Sequence, residues 1–417
     1  MGRVISESAE RAAAAVDSAA IAADLGALVR VASLTGQERP AVELLAELSE
    51  RRGLTAQVHE HDLAALRSAK GYPGEEAPRD ELVGATVTLA GQSDDAPRLC
   101  LNGHVDVVDP GTAPWQFGPW AGDEVGGFIR GRGAADMKGG VIAALHAMAA
   151  VRAALGDAPG EVVLYGVGSE EDGGLGTFAA LERDHRFDAC LIPEPTAFDI
   201  VCAQAGALTF EGVVPGVSAH AALRLEGESA IDRYMPVHAA LHDHERHVNA
   251  NVDHPLMSEL ELPYPLLVGR VEAGTWSSQV PDRLRFEGRL GVRVDQTPTE
   301  ARAGFEAVVQ SVCPDAELTW TGGQFAPAET PQDHPFPRLV ASAIEQQTER
   351  RPRFIGSSYG SDMRLFCERG IPCVMAGTSG IELAHAVDER VALGEVVALA
   401  RSIARVIVRF GELASPA

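Results

Sequence analysis

The sequence predicts an α/β protein, a mostly parallel sheet flanked by helices and interrupted by a ferredoxin-like α+β unit. Three observations lead there. Over residues 1–205, short apolar runs alternate with helical patterns, as strands joined by crossover helices do. Over 206–325 the order becomes strand, helix, strand, strand, helix, strand, which is that of a ferredoxin-like sandwich. Over 326–417 the first pattern resumes, so 1–205 and 326–417 read as two parts of one larger domain around an insertion.

Residues 6–34 carry an Ala-rich helical pattern ending near Gly36. Thr35 followed by Glu38 has the form of a capping box for a helix presenting Leu44, Leu45 and Leu48. Segments 68–78 and 92–97 read as surface loops. Strands are expected at 83–89, 99–101, 162–167 and 189–192. Helices open at Met137, with Val141, Leu145, Met148 and Leu155 on one face, and near Gly174. In the insertion, strands are expected at 207–214, 266–271, 283–294 and 317–320, and helices at 229–247 and 299–312. A helix from Pro337, a strand at 373–375 and a helix over 394–410 close the chain.

With 417 residues, 46% hydrophobic and 23% charged, the chain can bury the cores of two domains. Its 59 acidic against 35 basic residues give a net charge of −24, which repels nucleic acid and anionic membranes, so neither is expected as a partner. Glu7, Glu10 and Arg11 follow the start without the apolar stretch of a secretory signal, and no uncharged run reaches the roughly 18 residues of a membrane span. A soluble, cytoplasmic protein is expected. Cysteines 100, 190, 202, 313, 367 and 373 show no C-x-x-C spacing and read as buried free thiols.

The residues that carry chemistry fall where apolar strands run out, which is where open α/β sheets bind ligands. His104 and Asp106 are two apart at such an end, so a carboxylate could hold the imidazole in its metal-binding tautomer; a structural histidine is the plainer reading. Asp136 follows Gly131 and Gly133 at a helix entry, where an aspartate is most often only an N-cap. Glu170, Glu171 and Asp172 follow the 162–167 strand. Three adjacent acids usually lie solvated, but at a strand end they make a cation site in which one carboxylate binds metal and its neighbour handles protons. Glu194 stands between Pro193 and Pro195, and His385 in a late loop that also holds Asp388 and Glu389. A nitrogen and oxygen ligand set suits zinc, cobalt or manganese. His238, His242, His244, His247 and His254 form a histidine-rich stretch that could bind zinc, but no carboxylate partner is placed beside it and its helix belongs to the insertion, so a structural role is the plainer reading.

This ordered set resembles the two-zinc metallopeptidase superfamily of acetylornithine deacetylase, succinyl-diaminopimelate desuccinylase, aminoacylase and bacterial glutamate carboxypeptidase, over nearly the whole chain. The resemblance implies a zinc-peptidase-like catalytic domain with an inserted dimerisation or lid domain, and two divalent metal ions. His104 and Glu194 would hold one ion, His385 and Glu171 the other, and Asp136 both. Glu170 would be the general base acting with a metal-bridged hydroxide, and Asp106 would orient His104. A cis peptide would follow Asp136. His220, in Gly216-Val217-Ser218-Ala219-His220, would hold the oxyanion across a homodimer, and Arg364 of Ser361-Asp362-Met363-Arg364 would bind the substrate carboxylate.

Two departures accompany the match. Ser278 stands where many relatives carry Asn, and Gly377-Thr378-Ser379-Gly380 replaces their G-P-G, with Gly380 at the pocket wall. Segment 264–282 looks most like acetylornithine deacetylase and formylaminopyrimidine deformylase. The implied activity is removal of an acetyl, formyl or similar group from a small N-acyl amino acid. Dipeptidase, carboxypeptidase or N-carbamoyl hydrolase activity is the alternative, and a silent metal-binding protein would have no need of Glu170.

Overall fold

The computed structural model describes residues 6–93, 95–378 and 381–414. Its main sheet runs in the order Thr55–Glu60, Val83–Leu89, Glu161–Val167, Arg98–His104, Ala189–Ile192, Cys373–Met375, Ile200–Gln204 and Ala328–Glu329, with Phe354–Ser357 also pairing with Ile200–Gln204. The four central strands, from Glu161–Val167 to Cys373–Met375, are mutually parallel. Antiparallel pairs extend the sheet at both ends. The parallel centre is buried on both faces, as its continuous Val, Leu, Ile and Cys runs require. All four central strands point their carboxyl ends the same way.

Gly139–Leu155 is the helix this centre packs on. With its entry turn it is long and apolar enough to cross a membrane, but 72% of that window is buried inside the fold. Its first turn lies so close to the Ala189–Ile192 strand exit that a Cβ on Gly140 would come 2.1 Å from the Pro193 carbonyl oxygen.

The insertion forms a separate antiparallel sheet in the order Leu266–Ala273, Arg283–Val292, Gly206–Pro215, Glu317–Phe325. Helices Ala230–Asn249 and Pro298–Val312 cover it around a second core that includes Phe210, Phe286 and Phe305. This is the ferredoxin-like arrangement expected from the element order. The cysteines are free thiols, Cys367 half-buried and the others buried.

Two local expectations are corrected. The 6–34 pattern is two helices, Glu7–Ala14 and Ser18–Val29, because the Asp17 carboxylate accepts from the Ala19 and Ala20 amides and starts a new helix. Thr35 and Glu38 make no capping box. The helix Arg39–Arg51 has no side-chain cap; the Thr35 hydroxyl donates to Asp106 (3.0 Å), and Glu38 is buried against Arg79 (3.1 Å). Segment 68–78 is the loop expected, tied to the insertion through its Pro73 carbonyl, which accepts from the Gln324 amide (2.9 Å).

Gly140→Ala should lower the stability of the whole larger domain by about 1–3 kcal/mol, because the added methyl meets backbone that cannot turn aside. Chemical denaturation checks this against Gly118→Ala, whose Cβ meets nothing within 4 Å and which should leave the midpoint unchanged.

Candidate metal centre

The strand ends deliver the expected residues to one place. His104 closes its strand, Glu170 and Glu171 follow Val167, and Glu194 follows Ile192. Asp136 sits in a distorted turn, Ala134–Lys138, ahead of the central helix, and its peptide bond to Met137 is cis. His385 enters from the late loop with φ of 58°.

The distances define two adjoining groups. His104 Nε2 lies 3.2 Å from Asp136 Oδ1 and 3.6 Å from Glu194 Oε1. His385 Nε2 lies 3.5 Å from Asp136 Oδ2 and 3.1 Å from Glu171 Oε2. Asp136 therefore turns one oxygen to each imidazole. Among the described residues, the sets of three potential ligands that converge are His104, Asp136, Glu171 and His104, Glu170, Glu194. The histidine-rich stretch contributes to neither.

Burial and mutual repulsion shift several groups of the cluster. Burial, with Asp362 nearby, holds the Glu170 carboxyl well above the ordinary carboxylate range, and burial does the same to Glu194. Burial pushes Asp106 up to about 7. Burial opposes charge on His104, but its hydrogen bond to Asp136 and the surrounding carboxylates outweigh it and raise the imidazole. The hydrogen bond to Glu171 raises His385. Five carboxyl groups thus face two imidazoles with positive charge in deficit. Divalent cations bound through nitrogen and oxygen would supply that charge, and Asp136 has the two-sided placement of a bridging carboxylate.

Carboxylates behind the cluster fix its backbone. Asp106 accepts from the Glu170 and Glu171 amides (both 3.3 Å) and from Thr35, while its backbone carbonyl, not its carboxylate, makes the 2.9 Å contact with His104 Nδ1. Glu389 accepts from the Ala135 and Asp136 amides (2.9 and 3.1 Å) and pairs with buried Arg132.

A cavity of about 350 Å³ opens over the cluster, lined by Asp136, Glu170, Glu171, Glu194 and His385 together with Arg289, Phe325 and Tyr359. Arg364 does not line it. Expected at a substrate carboxylate, this arginine is 1% exposed, donates to the Ser361 and Gly173 carbonyls (2.9 and 2.6 Å) and lies 4.1 Å from the centre of the Phe325 ring. The cation on the cavity wall is Arg289, on a strand of the insertion. Its sequence signal was only that of an arginine in a half-exposed strand. His220 caps a short turn of the insertion, exposed and outside the cavity lining, with Nδ1 accepting from the Ala222 amide. Ser278 is its neighbour, its carbonyl accepting from the Ala221 amide. Gly380 lies outside the described residues.

Glu389→Ala should destabilise the fold by about 3–5 kcal/mol, because it leaves the Arg132 charge buried and two amides without their acceptor. Thermal unfolding measures it. Arg132→Met/Glu389→Leu, which removes both charges, should recover part of that loss.

The sequence and the fold have known counterparts. Peptidase family M20/M25/M40 is matched over residues 100–409. The chain is 31% identical over 395 residues to a succinyl-diaminopimelate desuccinylase of Methylobacterium nodulans, covering 91% of this chain and 93% of the relative. It is 29% identical over 411 residues to the protein of that name in Rhodopseudomonas palustris, covering 94% and 98%. Among solved structures, a di-peptidase of Saccharomyces cerevisiae superposes with a TM-score of 0.78 at 14% identity over 99% of this chain and 100% of the other. A metallo-carboxypeptidase of Sulfolobus solfataricus does so with 0.74 at 17% identity over 93% and 98%. The match spans both the strand-end cluster and the inserted unit: this chain belongs to peptidase family M20/M25/M40.

Proposed function

We propose that the protein removes the acyl group from a small N-acyl amino acid, and that it does so with two divalent ions. His104, Glu194 and Asp136 would hold one and His385, Glu171 and Asp136 the other, with zinc the first choice and cobalt or manganese the alternatives. The carrying observation is the crowding of Asp136, Glu170, Glu171 and Glu194 with His385 on the wall of one cavity, with buried His104 against Asp136 beneath them. Bound there, the ions would polarise the amide carbonyl and lower the pKa of water toward neutrality.

The chain's own residues do the rest. Glu170 lines the cavity without being needed as a ligand, and its raised pKa suits a group that takes a proton from water and passes it to the leaving amine. Asp106 holds the Glu170 and Glu171 amides, so base and ligand keep a fixed separation. Arg289 is placed to take the substrate carboxylate, a charge-assisted and orienting contact. Arg364 backs that wall through Phe325. The relatives' name supports succinyl as the first acyl group to test, and the cytoplasm is the proposed location.

His220 enters through a second copy of the chain. Because Nδ1 accepts from the Ala222 amide, Nε2 carries the proton and can donate to a developing oxyanion, a contribution of about 3–4 kcal/mol for one donor. Around it the insertion exposes Leu223, Leu225, Ile231, Met235 and Trp276, an apolar face suited to a two-fold partner. The proposed assembly is a homodimer in which His220 serves the other subunit's cavity.

Glu170→Gln should lower turnover by about 100- to 10,000-fold while keeping bound metal, whereas Glu171→Gln should lose metal as well. The assay is a panel of N-succinyl, N-acetyl, N-formyl and N-carbamoyl amino acids and dipeptides. Inertness on the whole panel, or full turnover by Glu170→Gln, refutes the reading.

The trans arrangement is tested by mixing His220→Ala and Glu170→Gln proteins. Subunit exchange should restore part of the turnover, because one cavity then draws both intact residues. An active monomer, or no recovery after confirmed exchange, overturns it.

A further inference from the structure

We propose that segment 73–79 is a latch joining the inserted unit to the loop that carries Glu170 and Glu171, and that Arg79 is a positioning residue for Glu170. Nothing in the metal cluster requires this segment. Its composition is that of a surface turn, yet it holds a completely buried guanidinium.

Arg79 sits among three acids. Its Nη2 donates to both Asp172 oxygens (3.1 and 2.9 Å), its Nη1 to Glu38 (3.1 Å), and its Nε lies 3.3 Å from Glu75. Asp172 is the pivot of the arrangement. Besides Arg79 it accepts from the Glu76 and Ala77 amides (3.1 and 2.9 Å) and from the hydroxyl of Ser169, the residue before Glu170. Ser169 holds a left-handed backbone, φ 64°, which this hydrogen bond helps to keep. Glu38 braces the start of the same loop, where a Cβ on Gly168 would come 2.6 Å from its Cγ.

The other side of the segment touches the insertion. Pro73 accepts from the Gln324 amide, and Glu76 Oε1 accepts from the Gly323 amide (3.2 Å) and the Thr209 hydroxyl (3.1 Å). Glycines alone permit the stacking of the three backbones. A Cβ on Gly74 would lie 1.9 Å from the Gly322 carbonyl oxygen, and one on Gly173 would lie 2.4 Å from that of Gly74. Backbone in contact on both sides transmits a displacement instead of absorbing it. A movement of the insertion, which carries Arg289, is therefore felt at Ser169 and Glu170.

A buried ion network can also serve stability alone, and the test separates the two roles. It rests on the reading of Glu170 as the base. Arg79→Met strands buried carboxylates and should lower both stability and kcat. Arg79→Met/Asp172→Leu removes the ion pair at the pivot but still leaves Glu38 buried without its cation and the Glu76 and Ala77 amides without an acceptor, so it should regain only part of the stability. The Ser169 anchor is still missing there, so kcat should stay about 10- to 100-fold down with KM and bound metal unchanged. Arg79→Lys, a cation that cannot fork between Glu38 and Asp172, should recover only part of kcat. A double variant with wild-type kcat, or a kcat that falls only as metal or stability falls, overturns the proposal. If Glu170→Gln is itself active, it is the reading of the base that has failed.

Discussion

The structure is organised around a charge problem. Five carboxyl groups and two imidazoles meet beneath one cavity, most of them away from water, and burial lifts several of the acids out of their ordinary range. Removing ionised carboxylates from water is costly unless opposite charge comes with them. The two imidazoles cannot balance five acids. A fold that holds these groups together despite mutual repulsion offers a place for cations, and the surrounding features follow from keeping like charges in place.

Backbone anchoring is how they are kept. Asp106, Glu389 and Asp172 are buried carboxylates that each accept from two successive or nearby backbone amides beside the cluster. Arg132 pairs with Glu389 and Arg79 with Asp172 from behind, so these two acids receive counter-charge that does not enter the cavity. The parallel centre of the sheet sets the strand ends side by side, and the central helix closes against it without room for a methyl group at Gly140. Ser169 and His385, both with positive φ, are held in unusual backbone shapes at the points where residues of the cluster leave regular structure.

The element order and the residues that gather in the cluster were legible because each sits next to a strong local signal. Strand ends mark His104, Glu170 and Glu194, and a glycine-rich helix entry marks Asp136. The order of strands and helices gave the ferredoxin-like insertion. What stayed hidden depends on contacts distant in sequence. Thr35 and Glu38 have the spacing of a capping box, but tertiary partners, Asp106 and Arg79, claim both side chains. Arg79 stands in a Pro- and Gly-rich stretch that composition assigns to the surface. Arg289 looks like any arginine on a half-exposed strand, and only the approach of the insertion to the sheet puts it on the cavity wall. Arg364 carries a motif, while its donors are taken by neighbouring carbonyls.

Anomalous scattering from crystals of zinc-replete protein, recorded at the zinc edge, tests the charge argument most directly. It predicts two peaks, one bounded by His104, Asp136 and Glu194 and the other by Asp136, Glu171 and His385. Crystals with no peak at this cluster, or with zinc bound only elsewhere, such as at His238 and His242, would contradict it.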